Sequence, residues 1–76
     1  MNKEENFLDG LFEELTLEPN REIRFMGYRE VIRQFEEEIS EAKKNNNYED
    51  YFIYTTILGG YKIKMARFEM DLINKT

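Results

Sequence analysis

Hydrophobic positions fall into three runs separated by polar, turn-forming stretches. In the first, Phe7, Leu8, Leu11, Phe12 and Leu15 recur at i, i+1, i+4, i+5 and i+8. That spacing is the apolar stripe of an amphipathic helix, with Glu5, Asp9 and Glu13 on the other side, and it predicts a helix over about residues 4–15. Gly10 weakens this helix, and the stretch from Thr16 to Asn20, which contains Pro19, ends it. In the second run, Phe25, Tyr28, Ile32, Phe35, Ile39 and Ala42 alternate in steps of three and four. This is the heptad seam of a helix packed along a partner helix, and it predicts a helix over about residues 21–44. Asn20 suits the N-cap, Glu22 the first turn, and Lys43 and Lys44 the last, as the helix dipole prefers. The triplet Asn45-Asn46-Asn47 then makes a turn.

The third run admits two readings. Phe52-Ile53-Tyr54-Thr55-Thr56-Ile57 is rich in β-branched and aromatic residues, Gly59-Gly60 is a legitimate two-residue turn, and Tyr61 to Met65 alternates as a strand does. Residues 51–68 therefore carry a β-hairpin alternative. Against it, Tyr51, Tyr54, Leu58, Tyr61, Met65, Phe68 and Leu72 keep steps of three and four through the whole run. So do Phe52, Thr56, Gly59, Ile63, Ala66, Met70 and Ile73, one residue further round. Strand alternation dies within a few residues of the glycines, and an isolated two-stranded hairpin is marginal in water. A helix over about residues 48–74 is the stronger reading. The fold class that follows is all-α: one domain over residues 1–76, a short N-terminal helix and a long antiparallel helical hairpin.

Charge changes the picture mainly by its placement. The chain has 76 residues and a net charge of -5. Residues 1–20 carry one base, Lys3, against six acids; residues 21–47 carry six of each sign and residues 48–76 four of each. The imbalance thus sits in the first helix. The chain has no Cys, His or Trp, so disulfides and the thiolate and imidazole zinc ligands are missing, along with most general-base and nucleophile arrangements. The glycines make no phosphate loop, and Glu36-Glu37-Glu38 reads as a solvated helix face. These residues predict a protein that is not an enzyme and needs no metal or cofactor. The acidic N-terminus is no signal peptide, and the longest uncharged stretch, Tyr51 to Tyr61, is half a bilayer span at best. A cytoplasmic protein with no membrane contact is expected. The Asn, Lys, Glu and Ile bias has the flavour of a low-GC bacterium, its phage or a mobile element.

A chain this short without covalent staples leans on efficient helix packing or on association. If helices two and three pair across the Asn turn, Phe25 faces Ala66, Tyr28 faces Ile63, Ile32 faces Gly59, Phe35 faces Thr56 and Ile39 faces Phe52. That leaves the row Tyr51, Tyr54, Leu58, Tyr61, Met65, Phe68 and Leu72 only half covered by helix one, and it becomes the expected interface for a second copy or a protein partner. A further set, Arg21, Arg24, Arg29, Lys62, Lys64 and Arg67, gathers at the open end of the hairpin as a candidate anion site for a phosphorylated ligand, a nucleotide or nucleic acid. Carboxylates of helix one, with Glu22, Glu30, Glu69 and Asp71 close by, compete for those cations as internal counter-charges, and this is the stronger reading. The acidic balance and the lack of a basic recognition helix argue against duplex DNA. The functional expectation is a homo-oligomeric helical binding protein that regulates or inhibits by occupying or sequestering a partner; binding of a phosphorylated ligand through the basic set is the alternative.

Overall fold

The computed structural model describes residues 3–75, with side chains from Leu8 onward. The chain forms three helices, α1 (Lys3–Thr16), α2 (Arg21–Lys44) and α3 (Tyr48–Lys75). The side chains of Phe7 in the apolar stripe and of Glu5 on the polar side, with those of Lys3 and Glu4, lie outside the described residues. The fold is all-α, with no strand among the described residues. The β-hairpin alternative for residues 51–68 is thereby overturned: α3 runs unbroken through Gly59-Gly60, neither of which has a positive φ. Helical periodicity over the full segment outweighs four residues of alternation.

Local chemistry sets the helix ends. Asn20 is the N-cap of α2, with extended backbone angles, and its side-chain oxygen accepts the Ile23 amide at 3.1 Å. The three asparagines of the second turn each do a different task. Asn45 is the C-cap of α2, and Asn46 takes the left-handed conformation at φ 58, which Asn tolerates better than most side chains. Asn46 donates to the Lys43 carbonyl at 3.1 Å and Asn47 to the Ala42 carbonyl at 2.8 Å, the paired bonds of a Schellman ending. Asn47 then starts α3: its oxygen accepts the Asp50 amide at 3.2 Å and its amide group donates back to the Asp50 carboxylate at 2.8 Å. A three-residue run thus closes one helix and opens the next.

The core is formed by Leu8, Tyr28, Val31, Phe35, Leu58 and Tyr61, with Leu11, Phe12, Leu15, Tyr54, Ile57 and Met65 among the half-buried residues packed on it. Rings meet edge to face at 6.0 Å in three places: Phe12 with Tyr61, Phe12 with Phe68, and Phe35 with Tyr54. Arg24 near the start of α2 reaches Glu69 near the end of α3, while Phe35 meets Tyr54 closer to the Asn turn. Helix α1 lies across both long helices. On α2 it uses Gly27, where a Cβ would come within 2.4 Å of a Leu15 methyl, so the missing side chain lets Leu15 settle on the helix backbone.

The facing pairs expected from sequence require correction. Ile63, Phe52, Thr56 and Gly59 are exposed, so they cannot be the α3 residues that Tyr28, Ile39, Phe35 and Ile32 pack against. A Cβ at Gly59 would meet nothing within 4 Å, so this glycine has no packing reason within the chain. The inward face of α3 is the other row, centred on Leu58 and Tyr61.

The glycines differ in a measurable way. Gly60→Ala should raise stability by about 1 kcal/mol through helix propensity, or about 4–8 °C in thermal unfolding, because nothing opposes the added methyl. Gly27→Ala carries the same propensity gain but forces Leu15 aside, and should melt below Gly60→Ala. Equal gains at both sites would mean that Leu15 does not dock on Gly27.

Candidate functional site

Two sets of residues were expected to carry function, and the structure separates their fates. Of the anticipated interface row, Leu58 and Tyr61 are 5% and 3% exposed and belong to the core. Tyr54 and Met65 pack against that core, Phe68 sits against Phe12, and Tyr51 and Leu72 are half-buried. This row is the intramolecular face of α3. It is covered by α2 and α1 of the same chain, which corrects the expectation that about half of it stays uncovered.

The bare face is the opposite one. Phe52 is 71% exposed, Ile63 58% and Met70 61%, and they share one side of α3 with Thr56, Gly59 and Ala66, all exposed. Helix α3 is therefore apolar on two opposite sides, and only one is used within the chain. A single-chain surface helix normally shows one apolar stripe and a polar back. Beside this face runs a groove of about 300 Å³ between α2 and α3, lined by Phe25, Ile32, Met65 and Ala66 and flanked by Arg29, Lys62 and Glu69. Ala66 belongs to both, so face and groove are continuous.

The six expected anion-binding cations do not point at a common site. Arg24 is buried and gives a two-pronged ion pair to Glu69, Nε to Oε2 at 2.7 Å and Nη2 to Oε1 at 2.8 Å. Its remaining nitrogen donates to the Glu18 and Pro19 carbonyls at 2.9 and 3.2 Å, tying down the α1–α2 connection. Tyr28 completes the set by donating its hydroxyl to Glu69 Oε2 at 2.8 Å. Lys64 bonds Asp9 of α1 at 2.6 Å across a half-exposed contact. Arg21 lies over the Phe25 ring at 5.2 Å. Arg29 and Lys62 flank the α2–α3 groove, whereas Arg67 lies with Lys64 in a cleft on the α1 side that also holds Asp9, Glu13 and Asp71. Internal counter-charge thus meets two of the six directly. On the outer face of α2, Arg33 bridges Glu30 and Glu37, so the acidic run belongs to a solvated helix surface.

Sequence reasoning placed Glu69 among the acids near the Arg24 set but did not pair it with Arg24 and Tyr28. The usable signal was Arg24 standing one helical turn before Tyr28, at the edge of the apolar seam. Its acidic partner is 45 residues away and has no local mark. The electrostatics follow from the geometry. Hydrogen bonds from Arg24 hold the Glu69 carboxyl below its usual value of 4.5, and the same bonds raise the Arg24 guanidinium. Burial, then the Glu69 hydrogen bond, pushes the Tyr28 hydroxyl far up. Burial alone pushes Tyr61 up to about 12. The buried Tyr61 hydroxyl has no hydrogen-bond partner among the described residues. Among the described residues no group of three or more acids is placed to hold a metal ion, and no helix is long and apolar enough to cross a membrane.

The two buried tyrosines should respond in opposite ways to loss of the hydroxyl. Tyr28→Phe removes a donor to a buried carboxylate and should cost about 2 kcal/mol in chemical denaturation. Tyr61→Phe removes a buried hydroxyl with no partner and should be neutral or stabilising. Glu69→Gln should destabilise more than Tyr28→Phe, since it also leaves the Arg24 charge buried and uncompensated. Because the folded Glu69 titrates below 4.5, its stabilisation is present above that pH and is lost as pH falls through the lower folded value. Thermal unfolding should therefore fall away below about pH 4.5, and less steeply in Glu69→Gln; an unchanged slope would remove Glu69 as the cause. No protein-family model, curated protein or solved structure matches this chain, so its function has to be read from the geometry itself.

Proposed function

We propose that this is a non-enzymatic helical interaction protein. In this reading α2 and α3 form an antiparallel hairpin, and the protein regulates or inhibits by presenting the outer side of α3 to another protein chain. The observation that carries it is the exposed apolar row Phe52, Ile63 and Met70 on the side of α3 opposite the core. A helix apolar on both sides is the pattern of an element enclosed from both sides. Within this chain only one side is enclosed, so the other is assigned to a partner. The interface moves from the row expected by sequence to the row behind it, and the logic of the exposed patch is unchanged.

Charge supports protein over nucleic acid as the partner. Of the basic set, Arg24 and Lys64 already hold Glu69 and Asp9, and Arg67 has Asp71 and Glu13 in the same cleft. The row itself is uncharged, and the net negative charge of residues 1–20 is carried by α1 and its connection to α2.

The discriminating variant is Phe52→Glu/Met70→Glu, which places two charges on exposed positions and leaves the core untouched. Circular dichroism should show wild-type helicity. A partner retained by the wild-type protein under native conditions, and identified by mass spectrometry, should be lost by the double variant. Retention of the same partner by both proteins would overturn the assignment of this face.

A further inference from the structure

Resting on that reading of the outer α3 face, we infer that its occupant is a second copy of this chain, paired α3 to α3 in antiparallel sense with Met70 of each copy seated over Gly59 of the other. Thr56, Gly59, Ile63, Ala66 and Met70 keep the alternating steps of three and four that a helix–helix seam requires. Reversed on itself about a two-fold axis between Ile63 and Ala66, the row matches large to small at each level. Ile63 meets Ala66, and Met70 meets Gly59. Large residues set into small ones are what a close-packed seam needs. A parallel pairing would stack Gly59 on Gly59 and Ile63 on Ile63, leaving a gap at one level and crowding at the next.

Gly59 is the second observation. A glycine inside a helix is less favourable than alanine, and nothing in the chain lies within 4 Å of where its Cβ would be. Its absent side chain has no use inside one copy. In the pair it is the notch that receives Met70.

Charge agrees with a self-pairing. Residues 48–76 carry four charges of each sign, so two α3 helices meet without net repulsion, while the acidic excess lies in residues 1–20. Size agrees as well. The paired row from Thr56 to Ile73 is about 26 Å long at about 1.5 Å per residue, too narrow alone for a stable contact of about 800 Å² per partner. The adjoining groove with Phe25 and Ile32 widens it to a face along the long dimension of a 46 × 23 × 18 Å molecule. A closed two-fold pair of this kind uses the same patch on both copies.

Sedimentation equilibrium of the full chain at tens to hundreds of micromolar should give twice the 9.3 kDa chain mass. Ile63→Glu should return it to the chain mass with helicity intact. Gly59→Leu separates the pairing from simple folding: it should raise the thermal stability of the dilute single chain yet weaken association by about tenfold or more, because the notch is filled. Orientation is read with cysteines, which the chain otherwise lacks. Ile63→Cys mixed with Ala66→Cys should cross-link faster than either variant alone. Faster linkage of each variant with itself would overturn the antiparallel register. A wild-type protein that stays at the chain mass throughout would overturn self-pairing altogether, while leaving the outer face to be tested against other partners through Phe52→Glu/Met70→Glu.

Discussion

The buried ion pair between Arg24 and Glu69 is the contact on which the arrangement of the helices depends. A guanidinium and a carboxylate removed from water are tolerable only when nearly every donor and acceptor is used. Here they are: Arg24 spends three nitrogens on Glu69 and on two carbonyls before α2, and Glu69 takes a further bond from Tyr28. The cluster joins the α1–α2 connection, α2 and α3 at one point. Apolar packing is non-directional and would accept α3 in more than one rotation about its own axis. The ion pair accepts only rotations that bring Glu69 to Arg24, and so it selects which side of α3 turns inward.

That selection has a consequence at the surface. With Leu58 and Tyr61 turned in, Phe52, Ile63 and Met70 must turn out. The chain thus meets its own packing needs with one apolar row and displays another. A small chain without disulfides has little margin in its core, and large exposed apolar side chains on a regular seam add nothing to the stability of one copy alone. The acidic helix α1 is kept to the other parts of the molecule, held by Lys64 through Asp9 and by Leu15 on Gly27.

How much was legible in the sequence divides by range. Helix bounds came within about a residue, because the caps are local chemistry: Asn20 four residues before Arg24, and the Asn triplet with its left-handed Asn46. Both periodic rows of α3 were legible too. Which row faced inward was not, because both carry large apolar side chains at helical spacing and the choice between them turns on contacts across the fold, such as that of Glu69 with Arg24 45 residues away. Arg24, a candidate ligand-binding cation, is a buried structural one, as the internal counter-charge reading expects, and Gly59 lacks the packing role against Ile32 that the seam predicts.

By itself, then, the sequence determined two helices and their ends, and a third segment that is apolar on two sides and reads more strongly as a helix than as a hairpin around Gly59-Gly60. These follow from backbone hydrogen bonding, capping and periodicity, which act over a few residues at a time. The tertiary structure alone decided which side of α3 is core and which is surface, and which cations are already neutralised. Those outcomes turn on a buried charge finding its counter-charge across the fold, an interaction strong because it is shielded from water and invisible until the helices are packed.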